Sequence, residues 1–219
     1  LISYVRFAWI ATHRSAFQDK LLAELLPPLE ADGTSHLWEA VGRHFTGLTY
    51  READRLSKKN KEFIHGLFPD GNIYASLLPP EARDVIGKVG PQTRGVEKLL
   101  RRIGFRYAER VDPFDGGPHF VAATDDVSLV RASRVAELEA WPARPGTGLT
   151  RALVGVETRA APFFRCVFTE LVRLHPGHAQ VAPATLRHLG IAPGSRVVIL
   201  PIERGTGRID LDSTRSDAT

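Results

Sequence analysis

Between Asp112 and His119 the chain reads Asp112-Pro113-Phe114-Asp115-Gly116-Gly117-Pro118-His119. Two carboxylates and an imidazole share one short stretch. The Asp112 and Asp115 carboxylates together suit a cationic substrate, because a guanidinium docks onto a carboxylate as a bidentate fork. An imidazole at His119 can carry a proton near neutral pH. The same residues also fit a plainer reading. Asp-Gly is a strong turn signal, and His119 then serves as a hydrogen-bonded structural residue beside a hairpin. Both readings stand on sequence alone. Upstream lies Asp84-Val85-Ile86-Gly87-Lys88-Val89-Gly90-Pro91. A phosphate cradle needs several backbone N–H groups converging on a helix N-terminus. Pro91 removes one of those donors, and neither a Walker nor a Rossmann pattern follows. Gly87 therefore reads as the end of one helix, and Gly90-Pro91 as the start of the next.

The other chemistry-bearing residues are scattered. None of the eight histidines forms a pair with metal spacing on one helix face. His175 and His178 flank Pro176-Gly177, which reads as a surface turn. The single cysteine, Cys166, sits in the apolar run Phe163-Phe164-Arg165-Cys166-Val167-Phe168 and reads as a buried, inert thiol.

These residues must be positioned by the surrounding elements. The spacing predicts a helix from Leu1 to about Ser15, apolar on most sides, and a strand from Lys20 to Leu26. Thr34 or Ser35 caps a helix through Phe45 that presents Leu37, Trp38, Val41 and Phe45 on one face. Short helices are expected over 51–57 and 61–67, then a strand over 72–78. Pro80 and Pro91 each suit a first helical position, giving helices over 80–86 and 91–103, the second ended by Gly104. Phe105–Val111 and His119–Ala123 read as a hairpin across the Asp-Gly-Gly-Pro turn. A Pro- and Gly-rich linker covers 141–150. Beyond it come strands near 152–156, 163–174 and 196–202, with a short helix over 183–189. Strands interleaved with helices point to an α/β layer structure for residues 1–140. A small, mostly β part covers 151–204, and a polar tail covers 205–219.

The 219 residues include 29 basic and 25 acidic ones, a mild formal charge of +4 with the signs mixed along the chain. No continuous Lys/Arg block marks a nucleic-acid arm, although a modest basic bias would suit an anionic cofactor. No stretch approaches the roughly 18 apolar residues of a membrane span, and no signal peptide opens the chain. Cytoplasm is the expected compartment, with neither nucleic acid nor membrane as partner. The chain opens inside an apolar helical pattern without a cap or a methionine, so it is expected to be the C-terminal part of a longer protein.

The quoted segments resemble the arginine N-succinyltransferase family. The resemblance rests on Asp84–Val89, Pro91-Gln92-Thr93, Gly104-Phe105-Arg106-Tyr107 and Phe114–Pro118. Leu37–Phe45 resembles the family's Phe/Leu-Trp-x-x-x-Gly-x-x-Phe segment, and Leu1–Phe7 its central helix. Segments after Ala152 match more weakly. The resemblance implies an acyl-CoA N-acyltransferase-like mixed sheet with flanking helices, in the α/β (α+β) class, plus a small C-terminal β-rich subdomain. It implies transfer of a succinyl group from succinyl-CoA to the α-amino group of arginine, in arginine catabolism, with no covalently bound cofactor. The substrate-side turn would be Asp112, Asp115, Gly116 and Gly117. The partners would be these small molecules, with a homo- or hetero-oligomer possible.

Two departures accompany the resemblance. The fold's pyrophosphate-binding loop precedes the central helix and would lie upstream of Leu1, so the isolated chain is expected to be inactive. The family's proton-donor histidine falls in a Gly-x-Val-His-Pro segment, and Gly90 stands at that position. Glycine transfers no proton. Three outcomes follow: His119 or water supplies the proton, the amine or acyl substrate differs, or the chain is a non-catalytic partner of an active subunit.

Overall fold

The computed structural model describes residues 2–60, 62, 66, 71–145 and 147–202. In chain order the elements are α1 (Ile2–Thr12), β1 (Lys20–Glu24), α2 (Arg43–Thr46), α3 (Tyr50–Ser57), α4 (Pro80–Val85) and α5 (Arg94–Arg102). Then follow β2 (Arg106–Val111), β3 (Pro118–Ala123), α6 (Ser128–Ala132), β4 (Arg134–Ala140), β5 (Thr150–Glu157) and β6 (Phe164–His175). The series ends with β7 (His178–Val181), α7 (Pro183–Leu189) and β8 (Ser195–Pro201). The chain is of mixed α/β type and divides into two compact units, residues 20–122 and residues 2–19 with 123–202.

In the first unit, β1, β3 and β2 form a three-stranded sheet in that order. The expected hairpin is present. Tyr107 faces Phe120 and Val111 faces Pro118 in an antiparallel pair, and the register slips between Tyr107 and Val111. Glu109 takes a positive φ of 54° there, as an extra residue in a bulged strand does. Helix α5 ends as its sequence predicts. Gly104 has φ 108°, and the Phe105 N–H reaches back to Leu100 O at 2.9 Å. Its N-terminal turn, Pro91–Thr93, is a tighter 3₁₀ turn.

The segment before α2 is not a plain α-helix. Trp38–Gly42 is wound as a π-helix, and the Trp38 N–H is capped by Ser35 Oγ at 3.2 Å. The fully buried Trp38 ring lies where a side chain on Gly42 would project. It stacks on Phe114 at 4.2 Å between centroids, which ties this helix to the Asp-Gly-Gly-Pro turn. Thr49 and Glu52 form a reciprocal capping box at the start of α3.

The strand expected over 72–78 is absent. Residues 72–74 lack regular structure and Ala75–Leu77 form a 3₁₀ turn. Ile73, Tyr74 and Leu77 are exposed. These apolar residues find no neighbouring strand to pair with among the described residues, and Pro79 and Pro80 remove the next two donors. The helix expected over 61–67 falls mostly outside the described residues.

In the second unit, β4-β7-β6-β5-β8 close into a barrel. The segment expected as a linker, 141–150, joins β4 to β5. β4 pairs with β7 in parallel and with β8 antiparallel, so the β-rich part begins before residue 151. Leu138, Val154, Val181 and Leu189 fill its interior. Cys166 is half-buried, and its surroundings push the thiol pKa up to about 11, as expected for an inert sulfur. No described helix is long and apolar enough to cross a membrane.

Candidate active site

The sheet of the first unit places His119 and Phe120 side by side on β3, so their side chains leave on opposite faces. On the His119 face lies a cavity of about 290 Å³. Glu24 at the end of β1, Tyr50 and Asp54 on α3, and Asp112 and Asp115 from the turn line it. Glu24, Asp112 and His119 converge, each offering a ligand atom within 4.8 Å of the others. His119 Nε2 stands 3.7 Å from Glu24 Oε1. That is beyond hydrogen-bond range, and this buried nitrogen has no hydrogen-bond partner among the described residues.

The turn holds its carboxylates by backbone donors. Asp112 Oδ1 accepts the Phe114 N–H at 2.8 Å. The Asp112 N–H donates to Gly117 O, and the Gly116 N–H donates to Asp112 O, both at 2.8 Å. Gly116 has φ 83°, a conformation that glycine adopts without strain. Asp115 is 6% exposed. Its Oδ1 accepts the Gly117 N–H at 2.8 Å and its Oδ2 accepts the Tyr50 hydroxyl at 2.9 Å. Asp115 therefore braces the turn against α3 while lining the cavity.

Burial raises the Asp115 pKa above the usual carboxylate value, partly offset by the Gly117 and Tyr50 hydrogen bonds. The same burial, with the Asp115 charge beside it, raises Tyr50. A raised carboxylate pKa means that the folded state holds this proton more tightly than the unfolded one. Its contribution is full below the unfolded value near 3.8 and is lost as pH climbs through the folded value. An Asp115→Asn variant cannot ionise; its oxygen still accepts the Gly117 N–H, and its NH2 donates to the Tyr50 hydroxyl oxygen, reversing that bond. Its urea midpoint relative to wild type is expected to improve as pH rises from about 3 to 6. Parallel pH curves would contradict that. Asp115→Ala leaves the Gly117 N–H and the Tyr50 hydroxyl unpaired, at an expected cost of about 2–4 kcal/mol.

Gly87 and Gly90 frame the other side of the turn. The Gly87 N–H donates to Gly116 O at 2.8 Å, and the Gly90 N–H donates to Leu26 O at 2.8 Å. The Thr93 hydroxyl also reaches Leu26 O, at 3.0 Å. Gln92 Nε2 reaches Pro27 O at 3.2 Å. A Cβ on Gly90 would collide with Pro27 O, and a Cβ on Gly117 would collide with Leu25 O. Residues 25–27 are thus clamped between the two glycine-bearing loops. Gly90 is more than helix punctuation, because its missing side chain is what lets the 26–27 backbone pass.

The sequence reading brought Asp112, Asp115 and His119 to one place, and they do share it. It missed Glu24, which lies far away in the chain. The available signal was modest: Glu24 is an exposed alternate position of a strand running into Leu25-Leu26-Pro27. Chemically, two carboxylates around an unpartnered imidazole can receive a cation, either an ammonium or guanidinium group or a divalent metal ion. Of the four carboxylates lining the cavity, Asp54 is paired with Lys58 at 2.7 Å. Glu24, Asp112 and Asp115 have no Lys or Arg partner among the described residues.

A family model described as AstA, arginine N-succinyltransferase beta subunit, matches residues 1–129. The chain belongs to this family. A relative from Pseudomonas aeruginosa, "Arginine N-succinyltransferase subunit beta", is 35% identical over 204 residues, covering 92% of this chain and 58% of the relative. "Arginine N-succinyltransferase" of Yersinia pestis is 44% identical over 133 residues, 60% of this chain and 38% of that protein. A solved structure described as arginine/ornithine succinyltransferase subunit AI from Pseudomonas aeruginosa superposes with a TM-score of 0.69 at 28% identity. That match covers 91% of this chain and 56% of the other. The chain thus spans between about two fifths and three fifths of the length of these relatives. All of the turn and both glycine-bearing loops fall within the family-matched residues.

Proposed function

We propose that this chain is part of an acyltransferase of the arginine N-succinyltransferase kind, moving a succinyl group from succinyl-CoA to the α-amino group of arginine. One observation carries the reading. His119 Nε2 is buried, without a hydrogen-bond partner among the described residues, and it sits beside Glu24 and Asp112, which line the cavity and have no Lys or Arg partner among the described residues. In this reading Asp112 and Glu24 hold the substrate's positive charge, and Asp115 with Gly116 and Gly117 fixes the turn. His119 takes the proton from the α-ammonium, since only the neutral amine attacks a thioester. The N–C bond forms as the carbonyl becomes a tetrahedral oxyanion, which needs a backbone N–H donor. The C–S bond then breaks, and the thiolate leaves with a proton as CoA. The fold assignment that goes with this chemistry is the acyl-CoA N-acyltransferase type, and the proposed compartment is the cytoplasm.

Gly90 supports a second reading. With no proton donor at that position, the chain would be a non-catalytic subunit stabilising an active paralogue. The name "beta subunit" carried by the family model and by the Pseudomonas relative supports assembly with other subunits. Thiol release from succinyl-CoA by the full-length protein, with arginine as acceptor, separates the two readings. Arginine-dependent release supports the enzyme. Succinyl-CoA binding without release supports the partner subunit.

A further inference from the structure

The opposite face of the same sheet carries a second, larger cavity of about 530 Å³ with the reverse electrostatic character. Lys88 from the Gly87–Gly90 loop and Arg94, Lys98 and Arg101 from α5 line it, against one carboxylate, Glu97. The three α5 cations fall at positions 94, 98 and 101, one face of a helix. Glu97 is taken by Arg101 at 2.8 Å. Lys88, Arg94 and Lys98 have no ion-pair partner among the described residues. The floor is aromatic: Tyr107 and Phe120 lie 6.1 Å apart, and the Arg101 guanidinium sits 4.8 Å over the Phe120 ring. Gly87 allows the Tyr107 hydroxyl to approach the loop, because a Cβ there would stand 2.8 Å from it. That hydroxyl has no hydrogen-bond partner among the described residues.

Cations gathered in a concavity without counter-charge repel one another until an anion joins them. A guanidinium and two ammonium groups suit phosphate oxygens, and an aromatic floor suits a flat ring. We propose that this cleft binds a phosphate-bearing ring compound of the nucleotide class, with Arg94, Lys98 and Lys88 on the phosphates and Tyr107 beside the ring. The proposal does not rest on the acyl-transfer reading, since the cleft and the acidic cavity occupy opposite faces of the sheet.

The test is equilibrium titration of the 219-residue chain with four probes. Adenosine 3′,5′-bisphosphate carries clustered phosphates and a ring, pyrophosphate the phosphates alone, and adenosine the ring alone. Intact coenzyme A shows whether a larger carrier of the same group is accepted. The bisphosphate is expected to bind tightest, with affinity falling as salt rises. Arg94→Ala and Lys98→Ala, both at exposed positions, should each weaken it about five- to tenfold. Tyr107→Ala should weaken the bisphosphate but not pyrophosphate. No saturable binding up to millimolar bisphosphate, or wild-type affinity in the Arg94→Ala/Lys98→Ala double variant, overturns the site. Pyrophosphate binding as tightly as the bisphosphate overturns the nucleotide class. Arginine-dependent thiol release is a separate readout, so failure here and failure of the acyl-transfer reading are distinguishable.

Discussion

His119→Gln is expected to lower kcat for arginine succinylation by about 10²–10⁴-fold, the usual range for loss of a positioned acid–base group. Glutamine fills similar volume and can still donate or accept a hydrogen bond from β3, so the hairpin should stay intact. It cannot take the ammonium proton. KM for arginine should change little, because Asp112 and Glu24 remain to hold the charge. Position matters here as much as residue type. His119 Nε2 is buried and unpartnered, whereas a histidine kept for packing alone would normally have its nitrogens satisfied. A wild-type rate in His119→Gln would remove His119 from the chemistry.

Gly117→Ala is expected to destabilise the first unit by roughly 2–4 kcal/mol, the scale of an overpacked buried site. Its added methyl would meet the backbone oxygen Leu25 O, and Asp115 Oδ1 at 2.9 Å. Backbone cannot rotate aside as a side-chain tip can. Relief requires moving β1 away from the turn, which breaks the Leu25 N–H to Pro118 O bond of 3.1 Å. Urea unfolding checks the cost, and an unchanged midpoint would contradict the clamp. The same geometry bears on Gly90. A histidine there would collide with Pro27 O, so Gly90→His should destabilise the clamp rather than raise turnover. The absence of a side chain at Gly90 is therefore tied to how the 26–27 backbone runs, and a single substitution does not reverse it.

Much of the site was legible because its signals are local. Asp115-Gly116-Gly117-Pro118 announces a turn, and Pro91 and Gly104 punctuate the helix that precedes β2. The Ser35 cap and the Trp38-x-x-x-Gly42 spacing placed the helix that supports Phe114. What stayed hidden is long-range. Glu24 reaches His119 only because β1 pairs with β3 rather than with a nearer strand, and no periodicity encodes that order. The parallel pairing of β4 with β7 likewise joins segments on both sides of a Pro- and Gly-rich stretch, so that stretch read as a boundary. Ile73, Tyr74 and Leu77 show the opposite error. Their branched and aromatic side chains fit a strand, but a strand needs a partner edge as well as suitable residues.

The central claim is that the acidic cavity holds the amine substrate for chemistry at His119. The most direct measurement is the arginine dependence of thiol release from succinyl-CoA by the full-length protein and by its Asp112→Asn variant. The amide keeps the acceptor for the Phe114 N–H and removes the charge. The expected result is a KM for arginine raised about ten- to a hundredfold, as for loss of a charged hydrogen bond, with kcat nearly unchanged. Equal KM values in the two proteins, or no arginine-dependent release from either, would contradict the account.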